Sequence, residues 1–408
     1  LSIGDELMYG EILDSNFAHI AARLYAEGLP VARHLSVGDG EAAIAAALRL
    51  CAVDFDAVIA TGGLGPTSDD RTAAAAAAAA GLPLRLDAEA LAHIRRVAGR
   101  LGGDIPPANE KQALVPATAT LIPNPTGTAC GFHILLGDCR LYFLPGVPRE
   151  MTQMLEETVL PALLAARTEE EHCFTKVLTV FGPSEAELGT ILDEAVPAAT
   201  GVEVAYCVAF PEIQVKLRAT GKDATLVADR LTAATAAART RIGQWITAED
   251  DESIDTVVAR LLREKGLTLS LAESCTGGLV AKRITDSPGS SAYFLEGAVT
   301  YSNAAKERLL GVPSRLLAEH GAVSTEVARA MAQGSRAAAG SELALAITGI
   351  AGPDGGTPEK PAGTVFIALA RTAGTDVRRY FFNGSREEVR SITAVTALDW
   401  LRRELLSR

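Results

Sequence analysis

Apolar positions along this chain alternate between short continuous runs and longer stretches in which they recur at helical spacing. From the amino-terminal end, residues 16–27 read as a helix, 31–37 as a strand, 41–51 as a helix and 57–61 as a strand. That strand runs into Gly62-Gly63-Leu64-Gly65-Pro66-Thr67-Ser68-Asp69-Asp70, then Arg71-Thr72 and eight consecutive alanines, a helix by propensity. Further on, 175–181 predicts a strand, 184–195 a helix, 202–208 and 213–219 a hairpin, and 224–242 a long helix. An acidic stretch, Ala248-Glu249-Asp250-Asp251-Glu252, reads as a linker. Beyond it, strands at 267–271, 297–302 and 343–347 alternate with helices at 279–284 and 304–310, the latter capped by Asn303 and stopped at Gly311. Strands at 364–370 and 377–382 follow, and Asn383-Gly384-Ser385-Arg386 opens a closing helix.

Alternating strands and helices predict an α/β fold with a parallel sheet covered on both faces and ligands at the carboxy-terminal ends of the strands. A length of 408 residues suggests two or three domains. The pattern places three: a parallel-sheet domain at 1–168, a small α+β domain at 169–248 and a second α/β domain at 249–408. The middle unit is similar to a KH-like module, but no G-x-x-G loop or basic patch is visible, which leaves a spacer or dimer-forming role. The start at Leu1 looks like the end of a strand, so a few upstream residues are expected.

Charge changes the picture more than composition does. A net charge of −12 argues against nucleic acid as a partner. No apolar run approaches a membrane span, and no secretory signal opens the sequence. Cys51, Cys130, Cys139, Cys173, Cys207 and Cys275 show no C-x-x-C spacing, so neither a disulfide scaffold nor a zinc site is indicated and a reducing cytoplasm is expected.

The candidate chemistry sits at strand ends. In Ala272-Glu273-Ser274-Cys275-Thr276-Gly277-Gly278, two hydroxyls, a thiol and two glycines occupy a strand-to-helix turn, where backbone N–H groups favour a phosphate or an oxyanion. The same residues also suit a plain helix cap. A serine that attacks an amide needs a base. Lys306 lies in the first turn of its helix, where the dipole opposes a cation and eases deprotonation, and unlike Lys265, Lys282 and Lys360 it is next to a strand end. His320, the sole histidine after residue 250, sits where a helix C-cap has structural use for it. Cys275 is a second possible nucleophile, ranked below Ser274. The loop Thr348-Gly349-Ile350-Ala351-Gly352-Pro353-Asp354-Gly355-Gly356 could cradle a phosphate, and Arg386 is placed to clamp an anion. The 61–70 stretch is neither a P-loop nor a full dinucleotide fingerprint. It offers a glycine nest and two adjacent carboxylates for a divalent metal, or one of Ser68, Asp69 and Asp70 as a cap for the alanine helix.

Residues 271–386 resemble the C-terminal domain of the CinA (competence/damage-inducible protein) family, the nicotinamide-nucleotide amidohydrolases. The resemblance rests on AESCTGG at 272–278, SPGSSAYF at 287–294, YSNAAK at 301–306, GAVS at 321–324, TGIAGPDGG at 348–356 and NGSR at 383–386. It implies hydrolysis of nicotinamide mononucleotide to nicotinate mononucleotide and ammonia without a cofactor, with Ser274 as nucleophile and Lys306 as its base. It further implies substrate contacts from Glu273, Thr276, Gly277, Gly278, Ser291, Tyr301, Thr348, Gly349, Gly352 and Arg386. Residues 1–160 resemble the same family's N-terminal domain, of molybdopterin-binding fold, through GDEL at 4–7, Asp14-Ser15-Asn16, TGGLGPTSDD at 61–70, Asn109 with KQA at 111–113, PNPTGTACGF at 123–132 and LPGVPREM at 144–151. This implies a metal-dependent ADP-ribose pyrophosphatase. Asp5, Glu6, Asn16, Thr61, Gly62, Gly63, Gly65, Asn109 and Gly146 would hold the nucleotide, and Asp69 and Asp70 a divalent metal. The resemblance leads to a bifunctional pyridine-nucleotide salvage enzyme, a homodimer. The competing readings are a molybdopterin-type binder without turnover and a competence factor acting on nucleic acid.

Overall fold

A computed structural model describes residues 1–100, 107–167 and 171–408. The boundary placed between residues 168 and 169 lies outside the described residues. The strands are β1 (Ser2–Ile3), β2 (Ser36–Val37), β3 (Ala57–Thr61), β4 (Leu84–Leu86), β5 (Leu114–Pro116), β6 (Thr120–Ile122), β7 (Gly131–Leu136), β8 (Cys139–Leu144), β9 (His172–Val180), β10 (Val202–Ala209), β11 (Glu212–Gly221), β12 (Ile246–Glu249), β13 (Leu269–Glu273), β14 (Phe294–Val299), β15 (Leu343–Gly349), β16 (Thr364–Arg371) and β17 (Gly374–Phe381). The fold is mixed α/β in a three-domain layout, and by compactness the chain forms two units, Leu1–Cys173 with Thr220–Val227 and Phe174–Ala219 with Ala228–Arg408. Among the described residues no helix is long and apolar enough to cross a membrane.

The first unit is built on a sheet ordered β2-β1-β3-β8-β7-β6, parallel from β2 to β8 and antiparallel at β7 and β6. The helix Glu41–Asp54 covers one face with Ile44 and Leu48, and the alanine helix Thr72–Ala80 buries Ala75 and Ala76 in the same core. Ile20 and Leu24 of Ser15–Ala26 cover the other face. Two expectations are corrected here. Only Ser36 and Val37 of the 31–37 run form a strand, because β1 pairs with no more than these two. Residues before them are tied elsewhere: Arg33 pairs with Asp54 and His34 stacks on Phe17. The alanine helix takes no side-chain cap from Ser68, Asp69 or Asp70. Arg71 occupies its N-cap, and Thr72 Oγ1 donates instead to Gly62 O at 2.8 Å.

In the second unit the sheet β10-β11-β9-β12 carries the expected β-α-β-β-α order plus one edge strand. That strand takes in the first two residues of the acidic stretch, while residues 250–252 connect it to Ile254–Lys265. Residues 246–249 pair with β9, Ala248 is buried, and Glu249 lies 2.6 Å from Lys176 and 2.5 Å from Arg239. The acidity is matched by cations on neighbouring elements. The second sheet, β14-β13-β15-β16-β17, is parallel through its first three strands. Its two faces differ in side-chain size. Leu343, Leu345 and Ile347 face the core formed with Ile254–Lys265, Leu279–Thr285 and Arg386–Leu406. Ala344 and Ala346 face the core that holds Leu310, Leu317, Val327 and Met331. Small residues let backbones approach: a Cβ at Gly334 of Thr325–Ala339 would lie 1.9 Å from Leu310 O.

Candidate active site

All of β13 is buried, and the chain stays pinned to the sheet one residue beyond it, where Ser274 N donates to Ile347 O at 2.9 Å. Gly277 (φ 61°) and Gly278 (φ 91°) then take the left-handed conformations that turn the chain into Leu279–Thr285. On the neighbouring strand, Ser302 rather than Asn303 caps Asn303–Leu310, accepting from Ala305 N at 3.1 Å. Lys306 is therefore in the first turn as expected, but its side chain leaves solvent. It is 1% exposed, with Nζ 3.1 Å from Ser274 Oγ and 2.7 Å from Thr300 O. Burial lowers its pKa from the usual lysine value. The other candidates are engaged elsewhere. Lys282 pairs with Asp286 at 2.6 Å, Lys360 donates to His320 O at 2.9 Å, and the ring of His320 lies beside Glu319 and Glu326.

The N–H groups of the turn can be accounted for one by one. Gly277 N donates to Ser274 O and Leu279 N to Thr276 O. Gly278 N and Val280 N donate to one carboxylate oxygen of Glu273 at 3.0 and 3.2 Å, and Ala281 N to the other at 2.7 Å. Cys275 N and Thr276 N donate to no backbone oxygen in the turn; both N–H groups face the Cys275 sulfur, a weak acceptor. These two donors follow the Ser274 hydroxyl in sequence, and the first stands where a nucleophile turn offers an N–H to an oxyanion. Cys275 itself is buried and its thiol is pushed up to about 12, which leaves essentially no thiolate.

The residues implied by resemblance separate into three groups. Ser274, Thr276, Gly277, Gly278 and Lys306 share this turn, and the Thr276 hydroxyl is buried with no hydrogen-bond partner. Arg386, Tyr301 and Gly352 meet nearby: Arg386 Nη2 donates to Tyr301 Oη at 2.6 Å and Nη1 to Gly352 O at 2.8 Å. Because β13 lies between β14 and β15, this bridge from the end of one to the loop after the other spans the strand end that carries Ser274. The last group is turned away. Glu273 is 2% exposed and caps a helix, so it is structural here. Thr348 Oγ1 donates to Ala322 O at 2.8 Å. Gly349 is a packing glycine, since a Cβ would lie 2.9 Å from Thr364 O and 3.0 Å from Cys275 Sγ. Ser291 precedes β14, whose register puts Phe294 against Leu269 and Val299 against Glu273, so it lies at the opposite strand end from Ser274.

In the first unit a cavity of 460 Å³ opens at the strand ends, lined by Glu6, Asn16, Thr61, Gly62, Gly63, Gly65, Asp69, Asp70 and Gly146. Asp5 is not in its wall and exchanges backbone contacts with Asp39, accepting from Asp39 N at 3.1 Å. Asn109 is not in it either and contacts Gln112, which is. Asn16 Nδ2 donates to Gly146 O at 2.8 Å, leaving its buried Oδ1 without a partner at the cavity. Sequence reasoning did not single out Asp39, Glu150 and Gln112, which also line the wall. Asp39, between Gly38 and Gly40 after β2, carried the same strand-end signal as the 61–70 loop. Burial, with the carboxylates of Asp5, Glu6 and Asp69, raises the Asp39 pKa. The wall bears Glu6, Asp14, Asp39, Asp69, Asp70 and Glu150 but no lysine or arginine. Asp70 spends one oxygen on Thr67, accepting from its N at 2.9 Å and Oγ1 at 2.5 Å. Among the described residues no three His, Cys, Asp or Glu side chains converge on a metal. The donor set fits a cation held by one or two carboxylates whose shell is completed by water or a bound ligand.

Three family models match this chain: the CinA C-terminal domain over residues 251–405, a probable molybdopterin binding domain over 1–165 and the damage-inducible protein CinA KH domain over 175–248. A CinA-like protein of Geotalea uraniireducens is 60% identical over 100% of this chain and 97% of its own length. One of Geobacter sulfurreducens is 60% identical over 100% and 98%. A competence-damaged protein (CinA) superfamily structure from Klebsiella pneumoniae is 37% identical, covering 38% of this chain and 97% of its own at a TM-score of 0.37.

Proposed function

The chain belongs to the CinA family, and from that premise we propose that its C-terminal domain hydrolyses the amide of nicotinamide mononucleotide to nicotinate mononucleotide and ammonia. The observation that carries this reading is the buried contact of Lys306 Nζ with Ser274 Oγ at 3.1 Å. A neutral amine whose N–H groups are steered by Thr300 O presents its lone pair to the serine hydroxyl. Ser274 Oγ attacks the amide carbon and its proton passes to Lys306. The oxyanion lies against Cys275 N and Thr276 N. Lys306 returns the proton to the departing nitrogen, ammonia leaves, and an acyl-serine ester remains. Water, deprotonated by Lys306, cleaves that ester, releasing the carboxylate and restoring the serine. Arg386 is the cation suited to the substrate phosphate. Incubating the protein with nicotinamide mononucleotide and measuring ammonia tests this: turnover is expected, and its loss in Ser274→Ala. An active Ser274→Ala protein would overturn it.

A second activity, ADP-ribose pyrophosphate cleavage in the N-terminal domain, is favoured by the acidic cavity. An anionic ligand cannot approach six carboxylates unless a cation intervenes. A divalent metal would supply that charge and an acidified bound water. Asp69 and Asn16 Oδ1, both in the cavity wall, are the groups that would hold it, and the Thr61–Gly65 backbone would face the phosphates. Hydrolysis of ADP-ribose with and without added divalent metal tests the reading, and metal-independent hydrolysis would overturn it.

A further inference from the structure

Arg390 has a place in the amidase site that its sequence position does not announce. It lies on Arg386–Leu406, one turn beyond Arg386. Both its Nε (3.2 Å) and its Nη2 (2.7 Å) donate to the carbonyl oxygen of Thr276. A Cβ built on Gly277 would lie 3.5 Å from Nη2, so the guanidinium rests directly against the Thr276–Gly277 peptide. Among the described residues no carboxylate pairs with it, so a charged fork is committed to a single backbone oxygen.

The location of that oxygen gives the arrangement meaning. Thr276 supplies one of the two N–H groups that donate to no backbone oxygen and have only the Cys275 sulfur as acceptor, and its neighbour Cys275 supplies the other. The turn continues through two glycines with positive φ, the freest backbone there is. Nothing in those glycines fixes the N–H directions, and donors aimed at an oxyanion help catalysis only when already oriented. The Glu273 carboxylate and the bond from Leu279 N to Thr276 O tie the turn to the helix that follows it. Arg390 adds to the same Thr276 oxygen a charged tie from a separate helix.

We propose that Arg390 is a positioning residue for the Ser274 chemistry, holding the Thr276–Gly277 peptide so that Cys275 N and Thr276 N face the oxygen of the attacked amide. The inference rests on the amidase reading. It predicts that Arg390→Met lowers kcat about a hundredfold, the lower end of the loss of one oxyanion donor, with KM changed less than about threefold. Arg390→Lys, which keeps one donor for the same carbonyl, should recover at least about tenfold of that loss. A fluorophosphonate probe supplies a readout that needs no amide: Ser274 Oγ bonds to phosphorus, fluoride leaves, the proton goes to Lys306, and the phosphoryl oxygen occupies the oxyanion site. Labelling of Ser274 should slow in Arg390→Met and partly recover in Arg390→Lys. If the unaltered protein labels at Ser274 but leaves nicotinamide mononucleotide intact, the amidase reading fails while the labelling rates still decide the role of Arg390. Wild-type kcat and labelling in Arg390→Met, or a rise in KM alone, would overturn the proposal. Should Arg390→Met not fold, Arg390→Lys decides it: unchanged kcat and labelling in that folded variant overturn it equally.

Discussion

Replacing Glu273 by Gln separates a structural role from a substrate contact at the residue before the nucleophile. The carboxylate receives three backbone N–H groups, two on one oxygen and one on the other, and is 2% exposed. Gln keeps one accepting oxygen. If it serves Gly278 and Val280, the amide nitrogen faces the N–H of Ala281 and the 2.7 Å bond becomes a donor–donor contact. A hydrogen bond to a charged group contributes about 1.5–3 kcal/mol, and a carboxylate at a helix start adds about 0.3–1 kcal/mol. The expected local cost is about 2–4 kcal/mol, a factor of about 30 to 900 in the opening equilibrium. Hydrogen exchange resolves it: amides at 278–281 should exchange faster by that factor, while those of β15 and β16 change far less. Thermal unfolding should shift downward as well. Unchanged exchange at 278–281 together with a raised KM for nicotinamide mononucleotide would refute the capping argument and restore Glu273 as a substrate ligand.

The proposed amidase activity should rise with pH and level off below 10.5, because burial lowers the Lys306 pKa and the base must be neutral. Stability carries the same sign. The unfolded lysine binds its proton up to 10.5 and the folded one loses it earlier, so the penalty is full below the folded pKa and fades as pH rises toward 10.5. Lys306→Met should lack that slope in denaturant titrations. Cys275→Ala should retain amidase activity, and iodoacetamide should not inactivate the native protein, since a thiol pushed up to about 12 supplies no nucleophile at neutral pH. Rapid inactivation tied to Cys275 alkylation would contradict this. A chelator should abolish ADP-ribose hydrolysis and leave deamidation intact. Asp69→Asn and Asp70→Asn should follow the first loss with little change in melting, because the Thr67 N and Oγ1 bonds both go to one Asp70 oxygen, which Asn retains.

Local signals were legible where the site uses local geometry. A strand end, two glycines and a helix start placed Ser274, and a lysine in a first turn beside the next strand end placed Lys306. Which of two adjacent capping residues is used was not legible, because Ser302 and Asn303 are equally good caps. The choice fell to Ser302, whose backbone is extended after β14 ends at Val299. The 31–37 run looked like a strand because its residues have strand propensity, yet a strand forms only as far as its neighbour pairs with it. That the acidic stretch begins inside a strand, at Ala248 and Glu249, was not legible because Lys176 and Arg239, which neutralise Glu249, are far away in sequence.

Arg390 shows where a further signal lay. Arg386 and Arg390 stand four residues apart on one face at the start of a helix whose dipole disfavours cations. Ser385 and Glu388 already form a capping box there, so neither arginine is needed to complete the helix end. Two cations kept at an unfavourable site, beyond what the cap requires, point outward to acceptors on other elements. For Arg386 those are Gly352 O and Tyr301 Oη, and for Arg390 Thr276 O. One helix start therefore reaches the loop after β15, the residue after β14 and the turn after β13, the three strand ends around Ser274. A charge placed against its local electrostatics marks a residue whose partner is distant, and by that rule Arg390 stands with Arg386.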